Sequence, residues 1–130
     1  MNRTRLNRVS KSDRRQLELQ ADRLWSDIVL AEGAGKCLYC GKRPRKGACH
    51  PAHIVPRRFK HLRHDVRNGI SVCFTCHRLI DNEGQQEFRN WLSQNYPEKA
   101  SMLAVRWLDA KAGPVTCSML RDIITRLAGC

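Results

Sequence analysis

Leu17, Ala21, Leu24, Trp25 and Ile28 recur at steps of three and four, the period of a helix with one apolar face. Ser12 reads as its N-cap and Gly33 and Gly35 as its end, and the Trp25 stripe is expected to pack on the segment that follows. Residues 1–11 carry no such period and read as a basic flexible arm. Between 37 and 82 the pattern shortens. Cys49 to Pro56 and Asn68 to Cys73 read as strands joined by a polar loop at 57–67, with a short helix from Thr75. From 84 to 130 the helical period returns. Phe88, Trp91, Leu92 and Tyr96 mark one helix, and Pro97 opens the next, which carries Met102, Leu103, Val105, Trp107 and Leu108 and stops at Gly113 and Pro114. A last helix, capped near Thr116, turns Met119, Leu120, Ile123, Ile124 and Leu127 inward and ends at Gly129. Cys117 lies on that apolar stripe as a core thiol, and Cys130 is an exposed end. The class is α+β, with one domain over 12–130: a packing helix (12–34), a strand–loop–strand–helix core (37–82) and a helical extension (84–130).

Charge adds a partner to this picture. Lys plus Arg number 24 against 12 Asp plus Glu, a formal +12 on 130 residues. Such an excess suits a chain that faces a polyanion. The cations cluster in two runs, Lys42, Arg43, Arg45 and Lys46, then Arg57, Arg58, Lys60, Arg63 and Arg67, with more in the N-terminal segment. These are expected to contact DNA phosphates without reading sequence. His61 and His64, in the same loop, are expected to lie beside phosphate or in solvent. No apolar run approaches the roughly 20 residues of a membrane span, and the Arg-rich N-terminus lacks the apolar stretch of a secretory signal. An intracellular, cytoplasmic chain with no membrane partner is therefore expected.

Seven cysteines in a reducing compartment point to metal rather than disulfides. Cys37 and Cys40 form one Cys-x-x-Cys knuckle, and Cys73 and Cys76 form another. Two such turns can bring four thiolates to a tetrahedron around one Zn²⁺, and a closed four-thiolate shell makes that zinc structural. Cys49 is the spare cysteine and is assigned to packing.

Inside and just beyond the knuckles lie His53, Asn68, His77 and, four positions later, Asp81. This order and spacing resembles the HNH nuclease family, whose fold is the zinc-stapled ββα-metal unit. The resemblance implies that His53 is the general base, that Asn68 holds it in orientation and that His77 binds a catalytic cation. Physical chemistry leads to similar roles. Hydrolysing a phosphodiester needs a deprotonated water, which a neutral imidazole can produce, and a divalent cation to neutralise charge on the phosphate. A side-chain amide can fix an imidazole, and residues four apart on a helix project from one face and can share an ion. The chain departs from the HNH pattern at Ala52, where the family commonly has an Asp or His ligand before the base. His50, Asp65 or Asp81 could fill that place, and Mg²⁺ or Mn²⁺ is the expected cation.

The stretch from Phe88 to Tyr96, the segment Val105 to Leu108 and the closing run Met119 to Leu127 look like the helical tail of the NinG (Rap) family of phage recombination nucleases. That resemblance spans roughly residues 20–127. It implies a phage or prophage DNA endonuclease acting on branched recombination intermediates such as Holliday junctions or D-loops. A non-catalytic zinc-ribbon accessory protein and an HNH nuclease of restriction or homing type are the alternatives. A homodimer would suit a symmetric junction.

Overall fold

A computed structural model of the chain describes residues 10–130, so the proposed arm lies outside the described residues except for its last two positions. Of those two, Ser10 caps the first helix and Lys11 begins it. Helix α1 spans Lys11–Gly33, and its N-cap is Ser10, whose hydroxyl accepts from the Asp13 amide. The cap thus sits two residues before the expected Ser12. Ser10 has an acid three positions on, at Asp13, and its hydroxyl also donates to that carboxylate at 2.8 Å. Ser12 has only Arg15 there. The helix ends at Gly33, with Ala34 in the left-handed region.

Strands β1 (Cys49–His53) and β2 (Gly69–Cys73) form one antiparallel pair, in which His53 faces Gly69 and His50 faces Val72. β1 stops at His53 rather than Pro56. Beyond it the Asn68 side chain replaces the ladder, accepting from the Val55 amide at 2.6 Å and donating to the Val55 carbonyl at 3.1 Å. Pro51 is accommodated because β1 keeps an open edge. Helix α2 (Phe74–Asp81) follows β2 directly, completing the expected strand, loop, strand, helix order. The extension comprises α3 (Gln85–Asn95), α4 (Pro97–Val105), the short α5 (Trp107–Lys111) and α6 (Cys117–Ala128). Among these described helices none is long and apolar enough to cross a membrane.

Two apolar clusters hold the hairpin from opposite sides. Ala52, Ile70 and Val72 pack with Cys37, Cys76, Ile80, Phe88 and Leu92, so α2 and α3 cover one face. Trp25 and Val29 of α1 pack with Leu127 of α6, and α1 lies against β2. The approach is close at Gly69, where a Cβ would fall 2.5 Å from Val29 Cγ2 and 2.6 Å from Trp25 Cζ2. Any side chain there would push α1 off the hairpin. Buried Lys99 ties α4 to both layers, donating to Glu32 of α1 and to the Gly69 carbonyl. Met119, expected to point inward, is instead exposed. Its sulfur accepts from the Thr116 amide and so takes part in the cap of α6.

Candidate active site

The knuckle Cys37–Cys40 turns at Gly41, whose φ of 80° is costly for any residue with a Cβ. The Gly41 amide bonds the Cys37 carbonyl, and the Cys40 amide donates to Cys37 Sγ. The second knuckle opens α2, and the four sulfurs of Cys37, Cys40, Cys73 and Cys76 lie within 4.8 Å of one another. Cys40 and Cys73 are 3.9 Å apart. A tetrahedral zinc with Zn–S bonds of about 2.3 Å sets its sulfurs about 3.8 Å apart, so the cluster fits that ion. Burial, and then the neighbouring thiols, push the Cys76 pKa upward. Burial alone would also raise Cys37, yet amide hydrogen bonds bring it down to about 7. Four sulfurs this close cannot all ionise without a cation among them. The four cysteines could therefore bind zinc.

On the other side of the hairpin a cleft of about 500 Å³ is lined by Asp22, Trp25, Pro51, His53, Arg57, His77 and Asp81, among others. The His53 ring lies on the Trp25 indole, centroids 3.9 Å apart and planes 9° from parallel. Its Nε2 is 3.0 Å from the Arg63 carbonyl oxygen. A carbonyl can only accept, so Nε2 carries the hydrogen and Nδ1 keeps a free lone pair. Burial lowers the His53 pKa to about 4, against the opposing influence of the Arg63 carbonyl and the Asp22 carboxylate. The ring is therefore neutral at physiological pH, as a base must be.

Asn68 makes no side-chain hydrogen bond to the His53 ring. It is fully buried, and its amide bonds Val55 and the Leu62 carbonyl. In this way it ties the entry of the loop, at Val55, to Leu62, the neighbour of the Arg63 whose carbonyl meets His53. His77 and Asp81 meet on one face of α2 at 3.5 Å, and the His50 and His77 rings are 5.9 Å apart. These three approach in pairs. Among the described residues the four cysteines are the only group of three or more such ligands drawn closely together. Ala52 faces the core and offers nothing to an ion. Asp65 is not available as its substitute, because it accepts from the backbone and guanidinium of Arg67 and caps the turn at Val66–Asn68.

Residues 37–83 match the HNH endonuclease family. The match begins at the first knuckle and ends just past Asp81, enclosing His50, His53, Asn68 and His77. Comparison with curated proteins and with solved structures gives no match.

Around the HNH segment the basic residues divide into two groups. Lys42, Arg43, Arg45, Lys46, Arg57, Arg58, Lys60 and Arg67 are exposed, although Arg43 also donates to the Ala34 carbonyl and Arg67 is paired with Asp65. Arg63 is not a surface contact. It is buried, with its guanidinium forked onto Asp22 at 2.9 and 2.6 Å and onto Glu18 at 2.8 Å. His64 is likewise buried, bonding Asp22 at 2.7 Å. His61 anchors α5, its amide donating to Asp109 and its ring donating to the Gly113 carbonyl. The loop expected to face phosphate thus turns Arg63 and His64 inward, because α1 presents two carboxylates to it. Asp22 is the cleft residue that pattern reading passed over. Its signal was an acid three positions before Trp25, on the face otherwise read as apolar.

Proposed function

We propose that this chain is a metal-dependent DNA endonuclease in which His53 activates the attacking water. The observation that carries the reading is His53 itself, neutral and clamped between Trp25 and the Arg63 carbonyl in a cleft that also holds His77 and Asp81. Nδ1 takes the proton from water. Its ring cannot rotate away, since the stack fixes the plane and the carbonyl fixes the tautomer. His77, with Asp81 or His50, would hold a divalent cation, Mg²⁺ or Mn²⁺, and that ion would neutralise charge on the scissile phosphate. Arg57 in the cleft and Arg58 and Lys60 beside it supply phosphate contacts. The four cysteines hold a structural zinc that keeps α2, and hence His77, in place.

The preferred substrate is branched recombination DNA, such as a four-way junction. This rests on the likeness of the tail to the NinG (Rap) nucleases. The experiment is cleavage of junction and plain duplex DNA by wild type and His53→Ala, with Mg²⁺ or Mn²⁺ and with a chelator. Nicking by wild type that His53→Ala abolishes, with DNA affinity nearly unchanged, is the expected outcome. Cleavage retained by His53→Ala would sink the assignment, and equal rates on both substrates would remove the branch preference. Because Ala52 supplies no ligand, a non-catalytic DNA-binding accessory protein is the second reading. It predicts binding without nicking under either metal.

A further inference from the structure

Helix α2 leaves a large aromatic side chain in solvent. Phe74, its first residue, is 59 % exposed and packs in neither apolar cluster. Arg78, one turn later, stands over its ring, with the guanidinium carbon 5.8 Å from the centroid. Phe74, His77, Arg78 and Asp81 lie at steps of three and four, so one stripe of the helix carries both this pair and the candidate metal residues. Ring contacts make the link continuous: Phe74 is 6.2 Å from His50, which is 5.9 Å from His77. Around Phe74 is a depression of about 250 Å³, bounded by Thr75, Arg78, Leu79, Asn82 and Glu83.

Building on the endonuclease reading, we infer that this depression receives one unstacked nucleobase of the DNA, held on the face of Phe74 beside the scissile phosphate. Its chemistry suits a base better than a phosphate. An aromatic face and Leu79 offer stacking area, Arg78 brings a planar cation, and the Glu83 carboxylate can accept from an exocyclic amino group while repelling an anion. The excess of positive charge over the chain draws DNA to the protein, and the ring contacts through His50 set the depression beside the His77–Asp81 pair. A fully paired duplex keeps its bases stacked and has none to offer. Unpaired positions, at branch points, bulges or gaps, do. Selection for distorted DNA then comes from a contact one ring away from the site, without sequence being read.

The test uses the full chain carrying His53→Ala, so that DNA stays intact, and compares a duplex containing one unpaired base with the same duplex fully paired. The parent is expected to bind the bulged duplex about tenfold more tightly, the scale of one aromatic–base stack. Adding Phe74→Ala should abolish that ratio, and Phe74→Trp should restore it. With 5-iodouracil at the unpaired position, irradiation should crosslink the peptide that contains Phe74. A preference that survives Phe74→Ala, equal binding by the parent, or a crosslink elsewhere would overturn the inference. Failure of the endonuclease reading shows separately, as DNA left whole by the wild-type chain with every metal. Zinc content and thermal melting of each variant, expected to match the parent because Phe74 is exposed, verify the fold.

Discussion

Trp25 forms the floor on which His53 rests, and it does so from a helix that begins well before the HNH segment. The same indole donates to the Asp65 carbonyl at 2.9 Å, so it also fixes the loop that carries Arg63. Trp25→Ala should therefore damage stability and cleavage together. The loss in stability should be about 3 kcal/mol, the lower end for a buried Trp. Trp25→Phe keeps a ring beneath His53 and removes the indole hydrogen bond, a loss of about 1 kcal/mol. Denaturant titration and junction nicking on the two variants check this, and Trp25→Phe should retain most activity.

Protonation of His53 gives a second handle. In the unfolded chain it titrates at its ordinary 6.5 and in the folded chain at about 4. Between those values the unfolded state holds a proton that the folded state refuses. Its contribution to stability is thus complete above pH 6.5 and is lost as pH falls toward 4. Asp22 adds a lower window. Burial would raise its pKa, but hydrogen bonds from His64 and Arg63 overcome that and hold it well below its ordinary 3.8. Its contribution is present above 3.8 and disappears on further acidification. Denaturant midpoints measured from pH 7 to pH 3 should fall in these two stages. The NMR ring signals of His53 should move near pH 4, and a midpoint near 6.5 would refute the clamped, buried geometry.

Much of this site could be read along the sequence because its chemistry is local. Both knuckles, the His77–Asp81 pair and the two strands each need only a few neighbouring residues. What the chain pattern could not reveal were contacts between distant segments. Arg63 looks like its exposed neighbours Arg57 and Arg58, and only the arrival of Glu18 and Asp22 from α1 turns it inward. The family resemblance implies that Asn68 orients His53, but spacing could not show that its amide ends on Val55 and Leu62 instead of on the imidazole. Ser10 and Ser12 suit a cap equally by residue type, and what decides for Ser10 is the acid three positions on, Asp13.

Asn68 allows a direct and an indirect role to be separated. Asn68→Ala leaves the Val55 amide and carbonyl without partners and the Leu62 carbonyl with the Asp65 amide alone, at a cost of about 1–3 kcal/mol for each group left buried and unsatisfied. Asn68→Asp still accepts from the Val55 amide yet cannot donate to the carbonyls of Val55 and Leu62. If Asn68 works through the loop, both variants should lower cleavage together with amide-exchange protection across residues 54–64. Lost cleavage with unchanged protection would instead indicate a direct contact with the base during reaction.

Arg63 and Arg57 should separate fold from DNA affinity. Removing the Arg63 side chain takes the forked guanidinium from Asp22 and Glu18 in a partly covered site, leaving Asp22 only His64 and Glu18 only Arg14 and Lys60. Arg63→Ala should therefore cost on the order of 2 kcal/mol, discounted from the value for a fully buried pair because both acids retain some exposure. The salt dependence of DNA binding should not change. Arg57→Ala should do the reverse, leaving the melting point near wild type and reducing the slope of log affinity against log salt by about 1. Swapped outcomes would return Arg63 to the DNA surface.

The four-cysteine cluster should couple metal binding to the whole of residues 37–83. Cys37 and Cys76 belong to the apolar cluster that joins the hairpin to α2 and α3, so losing the ion leaves ionisable thiols inside that cluster. Cys40→Ser replaces an exposed ligand with minimal change in packing, which isolates metal affinity from core volume. Strong chelation of wild type, and milder chelation of Cys40→Ser, should release one zinc per chain and melt α2 and α3. The α1–α6 pair, held by Trp25, Val29 and Leu127, should lose protection later. Hydrogen exchange measured during zinc release checks that order, and simultaneous loss across all helices would show that both layers depend equally on the metal.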